Sequence, residues 1–427
     1  MKHPEAVSKK PWPFQSSEVV VLHLHFAFSI SRRLRLIRII LSSASICFAC
    51  RCCCYRLPAT AYLYGVLLTL SPPPLELAPD PPARVADAER FAKGILPGVS
   101  RTFALSIRLL PGTLGRAVLA AYLLCRIADT VEDDQAMSPE RKGALLDALV
   151  RALDDAAEAE RLPAVANELV AGDPAHVELV RGADSVFVLY RSLPERSRLR
   201  VRHWVTEMAV GMKKFAQRYP RGIRIGTLDE YREYCYYVAG TVGHMLTDLW
   251  HEHARAIGTA EYRILWKRCR AFGEGLQTVN ILKDIAWDAT RENAIYIPEE
   301  ALRERGGSHA TLLSPEHAAA SHAVVEEFIQ LAGRDLDQAL EYFVSIPRRA
   351  VSVRAFCILP LLFAHATLRE LARSRAMLRA GETVKISRGE VKSLMVAGLA
   401  LVMSNAGVRR LVGRVRRKRF SLLPGAT

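Results

Sequence analysis

Residues 122–134 read YLLCRIADTVEDD. At 3.6 residues per turn, Tyr122, Arg126, Asp129 and Asp133 fall at i, i+4, i+7 and i+11, one face of about three helical turns. Glu132 adds a third acid to that face, and Asp134 stands beside it. The apolar run 117–124 leads into the cluster, so the helix is expected to start in the core and carry its acids inward. Carboxylates withdrawn from water need paired charge, protons or metal. Arg126 is the one cation in this segment. An all-oxygen set suits Mg2+, which is commonly held by one or two carboxylates together with substrate phosphates. A solvated acidic helix end is the competing reading, because acid runs are ordinarily surface features.

Residues 272–298, FGEGLQTVNILKDIAWDATRENAIYIP, carry a second stripe. Gln277, Asn280, Asp284 and Asp288 fall at i, i+3, i+7 and i+11. Leu276, Val279, Leu282, Ile285 and Ala286 make the other faces apolar, so the stripe is expected to line an internal cavity. Asp284 and Asp288 repeat the spacing of Asp129 and Asp133, with Lys283 and Arg291 nearby. One such pair is common on helices; two, each with amide or basic company, are far more specific. Facing each other across a bundle, they would hold magnesium ions bridging a diphosphate. That arrangement stabilises the leaving group as an allylic C–O bond breaks. The cation left behind needs a dry, apolar, aromatic pocket.

The net charge of +15 looks at first like a nucleic-acid signal. Residues 1–80 carry +5 and residues 405–427 carry +7, which leaves the long middle near neutral. No nucleic acid partner is expected, because such binders present a basic face. Five of the nine cysteines crowd into residues 47–54, CFACRCCC, with no second CxxC and no histidine at zinc-finger spacing. Cys125, Cys235, Cys269 and Cys357 sit in apolar or helical contexts and are expected to be reduced core residues. The apolar runs near the start are interrupted by His23, His25, Arg32 and Arg33, unlike a signal peptide. The uncharged run 57–75 ends in Pro72, Pro73 and Pro74, a poor membrane span. Residues 1–84 are therefore expected to be an extension outside the fold.

Beyond residue 85, runs rich in Ala, Leu, Arg and Glu alternate with breaks at Pro97-Gly98, Pro111-Gly112, Pro139, Pro163, Pro174, Pro194 and Pro220. Further breaks fall at Pro298, Pro315, Pro347 and Gly389. Helix formers between such breaks, with no alternating strands and no repeat, predict one all-α domain over 85–404. Residues 405–427 read as a basic tail, either solvated or lying on anionic lipid. Three smaller signals remain. Ser100-Arg101-Thr102-Phe103 can cap a helix or hold a phosphate. Gly211, inside the otherwise helical EMAVGMKKF, marks a close approach. Residues 231–243, YREYCYYVAGTVG, combine four tyrosines with small residues, a tightly packed aromatic helix with phenols available for proton work or cation stabilisation.

From about residue 90 to 404 the chain resembles the squalene/phytoene synthase family. The matching motifs are SRTF at 100–103, DTVEDD at 129–134, YCYYVAGTVG at 234–243 and QTVNILKDIAWD at 277–288. EMAVGMKKF at 207–215, SVRAFCILP at 352–360 and VKISRG at 384–389 look more like its squalene synthases than its phytoene synthases. The resemblance implies an all-α single-domain isoprenoid synthase bundle with a central cavity. It implies head-to-head condensation of two farnesyl diphosphates through presqualene diphosphate, with Mg2+ and NADPH as cofactors. It makes Asp129, Asp133, Asp284 and Asp288 the metal–diphosphate ligands, supported by Glu132 and Asn280. Ser100, Arg101, Phe103, Tyr122, Arg126, Gln277, Lys283 and Arg291 become substrate contacts, and Tyr237 the proton acceptor. Phe356, Cys357 and Pro360 would line the deep end of the pocket, and Lys385 and Arg388 would meet NADPH phosphates.

Three departures from the family pattern stand out. Lys283 replaces an arginine, Arg291-Glu292-Asn293 replaces a Gly-Arg pair, and Ser387 leaves the cofactor segment one basic residue poorer. The alternatives are an enzyme that stops at presqualene diphosphate or makes phytoene from geranylgeranyl diphosphate, and a non-catalytic assembly factor. A cytoplasmic location, peripheral at a membrane, is expected.

Overall fold

The computed structural model of the chain describes residues 80–166 and 173–422, except the side chain of Arg101. The cysteine cluster and the run 57–75 lie outside the described residues. Those described are α-helical with no strand, and a single bridge pairs Arg224 with Ile295. In order they are α1 (Pro82–Val99), α2 (Arg101–Ile107), α3 (Gly112–Asp133), α4 (Pro139–Ala152) and α5 (Ala156–Val165). Then come α6 (Pro174–Arg181), α7 (Ala183–Arg191), α8 (Glu195–Arg218), α9 (Leu228–Cys235) and α10 (Thr241–His253). The rest are α11 (Thr259–Arg291), α12 (Glu299–Glu304), α13 (Ala318–Ser345), α14 (Val351–Arg373), α15 (Arg388–Leu401) and α16 (Asn405–Arg417).

Local chemistry sets most of the boundaries. Ser138, Asp155, Asp173, Thr227, Ser387 and Ser404 each cap a helix by accepting from a backbone N–H of its first turn. Pro139 and Pro174 occupy first-turn positions, where no amide hydrogen is needed. Two expected breaks are displaced: α1 runs two residues beyond Pro97, and α5 two beyond Pro163. Pro360 lies inside α14. The first helix also starts earlier than expected, at Pro82, and Asp80 pairs with Arg84 (3.1 Å) and Arg191 (3.0 Å). The folded region therefore begins before residue 85.

The long helix α11 packs along α13, with α3, α8, α10 and α14 completing the bundle. Between α9 and α10 the chain takes one π-helical turn, Tyr236–Gly240, which sequence periodicity does not reveal. Single π turns of this kind often occur at functional sites. Here the backbones of α10 and α11 all but touch. A Cβ on Gly243 would lie 2.1 Å from the Cys269 carbonyl oxygen, and one on Gly273 would lie 2.1 Å from that of Ala239. The expected close approach at Gly211 is the ring of Tyr237, whose Cγ would be 2.0 Å from an added Cβ.

Helix α14 is long and apolar enough to cross a membrane by composition, but 72% of its most apolar window is buried. It is the spine of the C-terminal region. Arg354 is fully buried and has no carboxylate partner among the described residues. It donates instead to the carbonyls of Val402 (2.7 Å), Phe343 (3.2 Å) and Ile346 (2.6 Å) and to Asn405 Oδ1 (2.7 Å). Arg369, also buried, pairs with Glu390 at 2.8 Å and donates to the carbonyls of Val415 and Lys418. These bonds correct the expectation of a separate tail over 405–427. Val408, Leu411, Val412 and Val415 recur at helical spacing and are buried, so α16 belongs to the body. The four cysteines expected in the core, Cys125, Cys235, Cys269 and Cys357, are buried and free.

Candidate active site: two acidic walls and an apolar pocket

Helix α3 delivers its acids to the end of a three-turn buried stem. Glu132, Asp133 and Asp134 line a cavity of about 180 Å³ together with Lys142, Glu292 and Tyr296. Asp288 (9% exposed) borders the small neighbouring cavity, which shares Ala294 and Tyr296 with the first. Asp129 and Asp284 line neither cavity. Each is held by a neighbouring cation, Arg126 at 3.3 Å and Lys283 at 3.0 Å. Below Glu132 and Asp133 the buried rings of Tyr234 and Tyr296 stack at 4.9 Å, their hydroxyls 3.3 Å apart.

Electrostatics show that the two walls see each other. Burial raises Asp288 to about 9, assisted by the negative charges of Glu292, Asp284 and Asp133. Asp133 is water-accessible but sits on a wall crowded by protein atoms. That crowding, then Glu292 and Asp129, raise it to about 7. Glu132 is pushed well above the carboxylate range by burial and by Asp133 and Asp129. Asp129 is raised by burial, with Arg126 opposing. Two acceptors, Glu132 Oε1 and Asp134 Oδ2, are buried with no hydrogen-bond partner among the described residues. So many acids with so little protein charge form a site that favours a cation.

Two participants were not evident from the sequence. Lys142 donates from Nζ to the carbonyl of Glu132 and faces Glu132, Asp133 and Asp134. Its position on α4 carries no pattern linking it to α3. Glu292, raised by burial and by Asp284 and bonded by Trp287 Nε1 at 3.2 Å, lies between the walls. The Arg291-Glu292-Asn293 departure was its only signal. The loop is fixed by Arg224, which donates to Asn293 O at 2.5 Å, and by the tight turn at Gly222 (φ 101°) against Asn293 O. Asn293 itself takes a left-handed conformation, φ 47°.

The remaining candidates divide. Ser100 Oγ accepts from Phe103 N at 3.1 Å, so it acts as a helix cap; Arg101 opens the same helix, with its side chain outside the description. Tyr122 lies on the same face as Arg126, which donates to its hydroxyl at 3.3 Å. Gln277 is half-buried and Asn280 exposed along α11. Arg291 is exposed and packs over Trp287 at 5.8 Å. Phe103, Phe356, Cys357 and Pro360 come together, lining an apolar cavity of about 50 Å³ with Trp250 and Tyr342. Ring contacts run from Tyr122 to Phe103 (5.6 Å), on to Phe356 (6.3 Å) and to Trp250 (5.3 Å). They lead from the acidic helix into that cavity. Tyr237 rests on Gly211 beside Phe215 and lines neither cavity. Lys385 and Arg388 are exposed, and neither makes an ion pair among the described residues.

An all-α bundle with paired acidic helices beside an aromatic pocket defines an isoprenoid synthase type of fold and site. The chain belongs to the squalene/phytoene synthase family, whose model matches residues 96–390. It is 28% identical over 304 residues to squalene synthase 1 of Arabidopsis thaliana, covering 69% of this chain and 70% of that one. It is 26% identical over 318 residues to the squalene synthase of Schizosaccharomyces pombe, covering 72% and 64%. The chain thus spans about two thirds of the length of these relatives. In fold it is similar to the solved complex of TcSQS with the ligand BPH1237: TM-score 0.64, 24% identity, 78% of this chain and 98% of that one.

The donor set fits magnesium. Among the described residues no three His, Cys, Asp or Glu side chains are grouped as a complete cage. The fit rests on the all-oxygen lining with its two unpartnered acceptors, Glu132 Oε1 and Asp134 Oδ2, a donor type that suits Mg2+ completed by further oxygen ligands. A stability prediction follows from the raised acids. Asp133 and Asp288 have folded pKa values near 7 and 9 against 3.8 when free. Their contribution is therefore full below about pH 4 and is lost as pH rises through 7 and then 9. Magnesium competes with those protons, so its stabilising effect should grow with pH. The rise in unfolding temperature on adding Mg2+ is expected to be larger at about pH 9 than at about pH 6. An equal rise at both, or none, would contradict the assignment.

Proposed function

We propose that this protein condenses two farnesyl diphosphates head to head, through presqualene diphosphate, to squalene. The observation that supports this most is that the acids of α3 and α11 meet at two adjoining cavities and raise one another's pKa, with an aromatic ladder leading from α3 into an apolar pocket. Asp129, Asp133, Asp284 and Asp288 would hold Mg2+, which when bound supplies charge to the leaving diphosphate. Arg126, Lys142 and Lys283 add fixed positive potential on the same walls. Phe103, Phe356 and Trp250 exclude water and present ring faces to the carbocation. Tyr237 keeps its proton, since burial and Glu233 raise its pKa. It can therefore act only by relay, accepting a substrate proton at oxygen while passing its own to Glu233. A cytoplasmic, membrane-peripheral location completes the reading.

The reductive half rests on less. Lys385 and Arg388 would meet NADPH phosphates, being cations without carboxylate partners among the described residues, but both are exposed and line neither cavity. That observation favours a second reading in which the reaction stops at presqualene diphosphate. Labelled farnesyl diphosphate with Mg2+, with and without NADPH, separates the two. Squalene only with NADPH supports the first, and presqualene diphosphate under both conditions supports the second. No C30 product from farnesyl diphosphate, or turnover of geranylgeranyl diphosphate alone, would overturn both.

A further inference from the structure

Helices α15 and α16 enclose a surface groove of about 450 Å³. Ala397, Ala400 and Gly407 form its floor, and Leu411, Phe420 and Leu422 its apolar walls. Leu422 is 50% exposed, and two further exposed apolar side chains stand next in sequence to lining residues or close to them, Val396 (45%) on α15 and Met403 (43%) just after it. Two arginines stand at its edge, Arg410 and Arg414, one helical turn apart.

The charges of α16 and the residues after it are not equivalent. Arg409 pairs with Glu341 at 2.5 Å, Arg416 with Asp337, and Arg419 with Glu370 at 2.9 Å. Those arginines are neutralised against the body. Arg410 makes only a 3.3 Å bond to the carbonyl of Ala406, and Arg414 makes no ion pair among the described residues. Of the four cations on this stretch that make no ion pair among the described residues, Arg410, Arg414, Arg417 and Lys418, the first two line the groove. A guanidinium pair beside an apolar trough complements a molecule with an anionic phosphate head and a hydrocarbon body.

We propose that this groove seats an anionic phospholipid at a bilayer surface, its phosphate between Arg410 and Arg414 and its upper acyl chain against Leu411, Phe420 and Leu422. The proposal sharpens the membrane contact suggested above: the contact is a built groove, and the basic stretch as a whole does not make it. It stands apart from the reaction chemistry, so an inactive Asp129→Ala chain should bind equally well.

The test is flotation of the full chain with vesicles of phosphatidylcholine containing about one third phosphatidylglycerol, against pure phosphatidylcholine. Binding is expected only to the anionic vesicles. At about 1 kcal/mol per basic side chain near such a surface, Arg410→Gln with Arg414→Gln should weaken it roughly thirtyfold. Arg409→Gln with Arg416→Gln removes the same charge from arginines already paired, and should leave binding nearly unchanged. Equal losses in the two double variants would mean general charge attraction and overturn the groove. So would unaltered binding of Arg410→Gln/Arg414→Gln, or equal binding to neutral vesicles. Unfolding temperature checks that both variants fold.

Discussion

Replacing Asp129 or Asp284 with alanine is expected to lower turnover by roughly 10²–10³-fold, the scale of removing one preorganised electrostatic contact to developing charge. Both aspartates stand on long helices, and each holds a neighbouring cation, Arg126 and Lys283, in place. Removing Asp129 leaves Arg126 with only the Tyr122 hydroxyl to hold it and subtracts a proposed metal ligand from the same wall. The loss should fall mainly on kcat, because the charge it answers develops as the diphosphate leaves. The fold should not suffer. Asp129 is one of the charges that raise Asp133 and Glu132, so its loss relieves repulsion in the metal-free protein. Steady-state kinetics with a parallel thermal melt read both effects. Full activity in the alanine variants would contradict the role given to the two aspartates.

The second large effect concerns the backbone contact behind the apolar pocket. Gly243→Ala and Gly273→Ala each drive a methyl to about 2.1 Å from a carbonyl oxygen on the facing segment. A backbone carbonyl cannot swing aside as a side-chain tip can, so α10 and α11 must separate. Overpacking of this kind costs about 3 kcal/mol or more, read as a lowered denaturant midpoint. Both glycines also line the apolar cavity, so surviving activity should show altered product or substrate length preference. Gly94→Ala in α1, with nothing within 4 Å of the new Cβ, is the control. It should be neutral or stabilising by about 0.5–1 kcal/mol. A neutral Gly273→Ala would refute the close approach.

Much of the architecture is written in the periodicity of the chain. The stripes on 122–134 and 277–288 are local, so their one-face geometry is present in spacing alone. The all-α class and the core cysteines were legible from local pattern as well, whereas the apolar grouping of Phe356, Cys357 and Pro360 came from the family resemblance. What escaped depends on tertiary approach. Lys142 and Glu292 reach the cavity only because α4 and the 291–296 loop pack there; nothing near Lys142 marks it, and Glu292 is marked only by the departure at 291–293. The π turn at Tyr236–Gly240 is one residue of extra backbone, invisible to a 3.6-residue template. Residues 405–427 looked like a charged tail because seven basic residues follow Val408 with no acid among them. The carboxylates that pair three of them, Glu341, Asp337 and Glu370, sit on α13 and α14. Arg354 was read only as part of a motif, yet it is the buried hub that binds α14 to the last two helices.

The central claim is that the two acidic helices act as one site. The most direct measurement is Mg2+-dependent release of diphosphate from farnesyl diphosphate by Asp133→Asn, Asp288→Asn and the double variant. Residues acting as a unit lose function together, so the double variant should be scarcely slower than either single. Multiplying losses, each single contributing its full factor independently, would contradict a shared site.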